Sequence, residues 1–175
     1  MSSVNGDGRP SEQAAKAVDI AAVDIIDYAP HYAADFKRLN IDWLERFFYV
    51  EQIDNTVLSD PQRHILDPGG AIFLARLGGE IIGACALIAA GDGALELSKM
   101  AVAPHRQGLG VGRRLIERAI AAYQAGPATR LFLESNSKLE PAIRLYLRAG
   151  FAHAPKPAAA EAHYERADVY MEWRG

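Results

Sequence analysis

Between Pro104 and Arg114 the chain reads Pro-His-Arg-Gln-Gly-Leu-Gly-Val-Gly-Arg-Arg, and no other stretch restricts the fold so strongly. A strand-like run from Leu95 to Val102 stops at Pro104, and three glycines then alternate with apolar residues. Leu109, Leu115, Ile116, Ala119, Ile120 and Tyr123 follow at helical spacing until Gly126-Pro127. A strand that passes through a glycine ladder into an amphipathic helix sets the helix N-terminus at the strand's end. The first helical turn leaves backbone N–H groups without partners, and the helix dipole adds about half a positive charge there. Glycines keep Cβ atoms out of the way, so an anion can approach those amides closely. Gln107 to Gly112 therefore reads as a phosphate cradle, with a pyrophosphate as its natural occupant and Arg106, Arg113 or Arg114 nearby. Two better-known glycine motifs fail letter by letter. The dinucleotide pattern needs a glycine where Arg113 stands, and a Walker loop needs a Lys-Ser/Thr pair that is absent.

The rest of the chain arranges itself around this unit. Residues 1–19 lack apolar periodicity and read as a flexible tail ahead of a single domain, 20–175. Val23 to Tyr28 is a first strand. Phe36, Leu39, Trp43, Leu44, Phe47 and Phe48 form a helical stripe, interrupted near Asn40, whose aromatics belong to the core. Ser59-Asp60-Pro61 starts another helix with Asp60 as cap, and Asp67-Pro68-Gly69-Gly70 makes a turn. Ala71 to Leu77 and Glu80 to Ala90 are strands of a hairpin closed at Gly78-Gly79, and Gly91-Asp92-Gly93 turns into Leu95 to Val102. Arg130 to Glu134 is a strand, Leu139, Ile143 and Leu147 mark a helix ending at Gly150, and two strands remain at Phe151 to Ala154 and Asp168 to Trp173. The expected fold is mixed α/β: a mostly antiparallel sheet of about seven strands with helices on both faces.

Composition excludes several classes. The longest apolar run, Ile81 to Ala90, is too short to span a membrane, for which roughly 18 residues are needed. The N-terminal residues show neither a basic segment nor an apolar one of the secretory kind. A single cysteine, Cys85, excludes an intramolecular disulfide and suits a reducing compartment, so a cytoplasmic location is expected. The net charge of −3 disfavours a nucleic-acid partner. Five histidines without paired spacing give no metal site.

The segment Gln107-Gly108-Leu109-Gly110-Val111-Gly112 resembles the Q/R-x-x-G-x-G/A signature of the GNAT acetyltransferase superfamily. Its flanks are similar too. Glu96 to Pro104 looks like the strand that precedes the signature, and Leu133 to Lys138 followed by Pro141 to Tyr146 and Gly150-Phe151 looks like the later strand and helix. Leu39 to Leu44 and Asp67 to Gly70 resemble a bacterial branch of the same superfamily. The resemblance implies acetyl-CoA as cosubstrate, no metal, and direct transfer of an acetyl group to a primary amine, either a small molecule or a peptide. Coenzyme contacts fall by resemblance on Gln107, Gly108, Leu109, Gly110, Val111, Gly112 and Arg113, on the backbone of Met100, Ala101 and Val102, on Asn136 for the pantetheine arm, and on Tyr146 for the thiol.

Acetyl transfer to an amine needs a deprotonated amine, stabilisation of the developing oxyanion, and a proton for the leaving sulfur. A carboxylate base is implied at Glu96, which strand alternation places on one face with Ser98, Met100 and Val102. Glu134 is a second acid near the acceptor, and Tyr146 is the implied proton donor. Cys85, inside an apolar strand, reads as a structural residue rather than an acyl carrier. His153 and the loop from Pro155 to Arg166 are exposed, bordering the acceptor pocket at most. From Asp19 to Asp67 there are ten acids against four Lys or Arg, which favours a cationic acceptor. A catalytically idle acyl-CoA-binding module is the alternative class, and the presence of both Glu96 and Tyr146 speaks for the enzyme. A homodimer is left open.

Overall fold

A computed structural model describes residues 19–157 and 164–175; of the expected tail, only Asp19 lies within this range. Seven strands form one sheet: β1 (Val23–Asp27), β2 (Ala71–Leu77), β3 (Glu80–Ala89), β4 (Ala94–Val102), β5 (Arg130–Ser135), β6 (Phe151–His153) and β7 (Val169–Trp173), in the spatial order β1-β2-β3-β4-β5-β7-β6. Every neighbouring pair is antiparallel except β4 and β5. A parallel pair needs a crossover, and the helix α3 (Val111–Ala125) supplies it. The β4–β5 ladder joins only Ala94 to Glu96 with Arg130 to Phe132, although both strands run on. Beyond Glu96 the two strands part, and the sheet opens at its centre.

Two apolar layers cover the sheet. On one face Val111, Leu115, Ile116 and Ala119 of α3 pack on Ile82, Leu97, Leu131 and Met171. Gly83 permits this close approach, since a Cβ there would lie 3.1 Å from both Leu115 and Val111. On the other face Phe36 and Leu39 of α1 (Ala33–Phe47) and Leu58 of α2 (Gln52–Ser59) pack on Ile72, Leu74, Ala84 and Ala101. The last helix, α4 (Glu140–Arg148), lies beside the opening. Among the described residues no helix is long and apolar enough to cross a membrane.

Several expectations need correction. Asn40 does not interrupt α1: its side-chain amide donates to the Phe36 carbonyl one turn earlier at 3.0 Å, and the helix continues. The helix α2, closed by a capping box between Glu51 and Asp54, was not legible in the spacing of apolar residues. Asp60 accepts a hydrogen bond from the Arg63 N–H, but the turn it begins is a π-helix, Gln62–Leu66. Phe47 is 42% exposed and is not core; Trp43 and Phe48 are half-buried, and Trp43 packs against the margin of the α1 layer. Leu147 is exposed as well; Ile143, Leu145 and Tyr146 carry the packing of α4 instead.

The most consequential correction lies in β4. Between Ser98 and Ala101 the ladder with β3 shifts register, and Lys99 adopts φ +52°, a left-handed conformation uncommon for a residue with a side chain. This β-bulge adds one residue and inverts the alternation. Glu96 and Ser98 therefore do not share a face with Met100 and Val102. The latter two pack with the α3 layer, whereas Ala101 and Ala103 join the α1 layer.

Candidate active site

The opening between β4 and β5 holds two cavities that meet. The larger is a groove of about 620 Å³ on the α3 side. Its floor is Met100, Ala101 and Val102, one wall is Gln107 to Arg113 without Leu109, and the other is α4 through Ala142, Leu145 and Tyr146. Gly108 and Gly110 take left-handed φ of +77° and +81°, which bends the chain so that α3 points its N-terminus into the groove. No side chain caps that terminus, so its amides are available to a ligand. Arg106, Arg113, Lys138 and Arg148 line the groove, and among the described residues no Asp or Glu does. An uncapped helix end, glycine backbone and a cationic rim fit a polyanionic coenzyme.

The cradle residues do not all serve it in the same way. Leu109 is absent from the groove and packs on the core. The Gln107 side chain donates to the Val102 carbonyl at 3.2 Å and so ties the cradle to the strand. Arg114 turns away: it donates to the Ile20 and Val23 carbonyls at 2.8 and 2.5 Å, anchoring the edge of the sheet. Arg118 likewise pairs with Asp27 at 3.0 Å. Of the four arginines in the basic island, only Arg106 and Arg113 face the groove. Asn136 also lies elsewhere. It lines the second cavity, and its amide is committed, donating to the Arg166 carbonyl at 2.5 Å and accepting from the Lys138 N–H at 2.9 Å.

The second cavity, about 90 Å³, lies on the α1 side. Trp43, Leu44 and Phe48 form an apolar wall, and Asp54, Glu96, Glu134, Lys99, Tyr164 and Arg166 supply charge and hydrogen-bonding groups. The bulge turns the Lys99 ammonium into this side, where it donates to Asp54 at 2.8 Å and Tyr164 at 2.9 Å. Arg166 makes a fork on Asp54 at 2.8 and 3.0 Å and reaches Glu51 at 2.8 Å. Burial alone would raise the Asp54 carboxyl, but Arg166 and Lys99 outweigh it and hold the group below its ordinary range. Glu96, only 5% exposed, shows the opposite balance. Burial, with the Glu134 charge adding to it, pushes its carboxyl up to about 7 against the opposing effects of Lys99, Ser98 and Lys156. A carboxylate poised near neutrality can take a proton and release it again.

Tyr146 stands where the cavities join; with Trp43, Met100 and Leu139 it lines both. Its ring packs edge-on against Phe151, and burial pushes its hydroxyl up to about 12, so the proton stays on oxygen at neutral pH. Cys85 is buried, its thiol faces the Leu115 carbonyl at 3.6 Å, and burial pushes it up to about 12, far from a nucleophilic thiolate.

Sequence reasoning missed Asp54, Lys99, Tyr164 and Arg166. A lysine within the apolar strand Leu95 to Val102 was the one available signal, because a buried lysine calls for a partner. The loop before β7 is not simply exposed: Tyr164 is 8% exposed and, with Arg166 and Ala167, walls the second cavity, whereas His153 is exposed and remote from it. The acids between Asp19 and Asp67 are dispersed. Asp24 pairs with Arg76, Asp27 with Arg118 and Asp35 with Arg38, so that segment's surplus does not gather at the cavity.

Residues 34–151 match the profile of the acetyltransferase (GNAT) family. An uncharacterized N-acetyltransferase of Mycobacterium tuberculosis is 35% identical over 88 residues, 50% of this chain and 56% of that protein, so the match spans little more than half of the relative's length. An uncharacterized N-acetyltransferase of Schizosaccharomyces pombe is 29% identical over 139 residues, 77% of this chain and 82% of the other. Among solved structures, an acetyltransferase of the GNAT family from Staphylococcus aureus superposes with a TM-score of 0.78 at 20% identity, over 87% of this chain and 98% of its own. An acetyltransferase from Salmonella typhimurium, solved with its cofactor acetyl-CoA, superposes at 0.66 and 20% identity, over 87% and 93%. At such identities the likeness speaks for the fold.

Proposed function

Because the chain belongs to the acetyltransferase (GNAT) family, we propose that it transfers an acetyl group from acetyl-CoA to a primary amine, both substrates being bound together. One observation carries this reading. A cation-lined groove and an acid-bearing pocket share the wall formed by Trp43, Met100, Leu139 and Tyr146. In this reading the amides from Gln107 to Gly112, with Arg106 and Arg113, hold the coenzyme's diphosphate. The coenzyme supplies an acetyl thioester, which belongs at the junction beside the divided β4–β5 pair.

The chain's own residues then divide the proton work. An alkylamine titrates near ~10.4 and arrives as an ammonium. Glu96, poised near neutrality by its burial, accepts the proton from nitrogen as the amine becomes a nucleophile. The Tyr146 hydroxyl, held at the junction, donates a hydrogen bond to the departing sulfur. A thiol titrates near ~8.5, below the raised tyrosine, so stabilising the thiolate comes before protonating it. Cys85 takes no part. The test is free-thiol release from acetyl-CoA across a panel of primary amines, with the acetylated product identified by mass. Release that depends on an amine is expected; acetyl-CoA binding without release for any amine would leave an idle binding module.

A further inference from the structure

The second cavity sorts its charges in a way that restricts the acceptor. Asp54 is saturated: Oδ1 accepts from Lys99 at 2.8 Å and Arg166 at 3.0 Å, and Oδ2 accepts from Arg166 at 2.8 Å and the Glu51 N–H at 3.0 Å. Glu51 accepts from Arg166 and from the Glu165 N–H. These two acids and two bases form a closed, neutral set, and Lys99 spends a further donor on Tyr164. Both cations that line the cavity are thus engaged with Asp54, and among the described residues no other Lys or Arg lines it.

Glu134 lines the same cavity outside this set, beside Glu96. Glu96 stands opposite Phe132 in the parallel register, and Glu134 is two residues further along β5, so both project from the same face. The Glu134 side chain is 4% exposed; Lys156 holds its Oε1 at 2.5 Å, while its Oε2 is buried and has no hydrogen-bond partner among the described residues. A buried carboxylate oxygen left unpaired is costly, which marks a position where a donor is missing. Lys156 shows what suits this carboxylate, namely a primary ammonium.

Resting on the acetyl-transfer reading above, we propose that Glu134 Oε2 receives the acceptor's ammonium, and that the acceptor is an alkylammonium with no carboxylate on its amine-bearing carbon. A side-chain amine or a polyamine fits; the α-amine of a free amino acid does not. An ammonium carries three donors, enough for Glu134 and Glu96 together. Trp43, Leu44 and Phe48 supply the apolar wall for its alkyl chain. An α-carboxylate would be carried in beside Glu96 and Glu134, where Lys99 and Arg166 already serve Asp54 and Lys156 already serves Glu134.

A matched series tests this: n-butylamine, norvaline (the same skeleton with an α-carboxylate) and norvalinamide (equal size without the charge). Amine-dependent thiol release should give butylamine a kcat/KM about 100-fold or more above norvaline, on the scale of an unpaired buried charge, with norvalinamide close to butylamine. In Glu134→Gln the butylamine KM should rise about tenfold or more, the size of one charge-assisted hydrogen bond, while the acetyl-CoA KM holds. Should Glu134→Gln fail to fold, Lys156→Met provides the second arm: removing the resident ammonium should lower the butylamine KM severalfold. Norvaline used as well as butylamine, or a butylamine KM indifferent to both substitutions, overturns the acceptor assignment alone. Failure of acetyl-CoA to bind or be consumed overturns the reading beneath it as well.

Discussion

The groove and the pocket, which share one wall, are built by opposite means. The groove is assembled from local sequence: Gln107 to Arg113 forms one wall, and its conformation is set by Gly108 and Gly110 at left-handed φ. It is lined by four cations and, among the described residues, by no carboxylate, and no side chain caps the helix end that faces it. The pocket is assembled across the chain. Its central pair, Lys99 with Asp54, spans 45 positions, and Arg166 with Asp54 spans 112. Its ion pairs join Lys99 and Arg166 to Asp54, Arg166 to Glu51 and Lys156 to Glu134. Under the proposed function the groove meets a diphosphate, whose chemistry is constant and which short-range backbone geometry can hold. The pocket meets an acceptor amine, whose skeleton tertiary contacts must fit.

The largest expected difference between the two sites comes from Gly110→Asp. A Cβ there meets only Ile20 at 3.9 Å, and aspartate tolerates left-handed φ better than most residues, so the fold should survive. A carboxylate at the cradle should nevertheless abolish the rise in melting temperature that acetyl-CoA gives by mass action. An undiminished shift in the folded variant would detach the coenzyme from the groove.

Tyr146→Phe acts at the shared wall and comes next. The ring keeps its contact with Phe151, so stability should hold, while kcat should fall by about 10²-fold, the usual scale for losing one such donor. Unchanged kcat, with chemistry limiting, would reduce Tyr146 to packing.

Smaller effects belong to Glu96. As a base it must be ionised, so kcat/KM should rise with pH through about 7 and then level, and Glu96→Gln should lose that inflection along with most activity. Stability runs the other way. The folded carboxyl titrates above its unfolded value, so the native state holds the extra proton between about pH 4.5 and 7 and this contribution is lost as pH rises through 7. Glu96→Gln should therefore raise the melting temperature by a few degrees at pH 8 and hardly at all at pH 5. Equal shifts at both pH values would mean that Glu96 is not held near neutrality.

How far the sequence could be read follows the same division. All seven strands and the helices α1, α3 and α4 announced themselves through periodicity and turn residues, because each buries one face on a common sheet. The helix α2 did not, since two buried residues, Asp54 and Leu58, hold it and one of them is charged. The bulge at Lys99 was invisible for a sharper reason. A period of two carries no mark of an inserted residue, so alternation assigned Glu96 to the face of Met100 and Val102, and only the register with β3 reveals the inversion. Arg113 and Arg114 differ by one position and by their whole role; helical geometry turns one to the groove and the other to the carbonyls of Ile20 and Val23.

That the two cavities are filled together is most directly tested by initial-rate kinetics with acetyl-CoA and an active amine varied against each other. The account predicts double-reciprocal lines that intersect, as required when both substrates must be bound before the acetyl group moves. Parallel lines, with acetyl-enzyme detected by mass after acetyl-CoA alone, would contradict it.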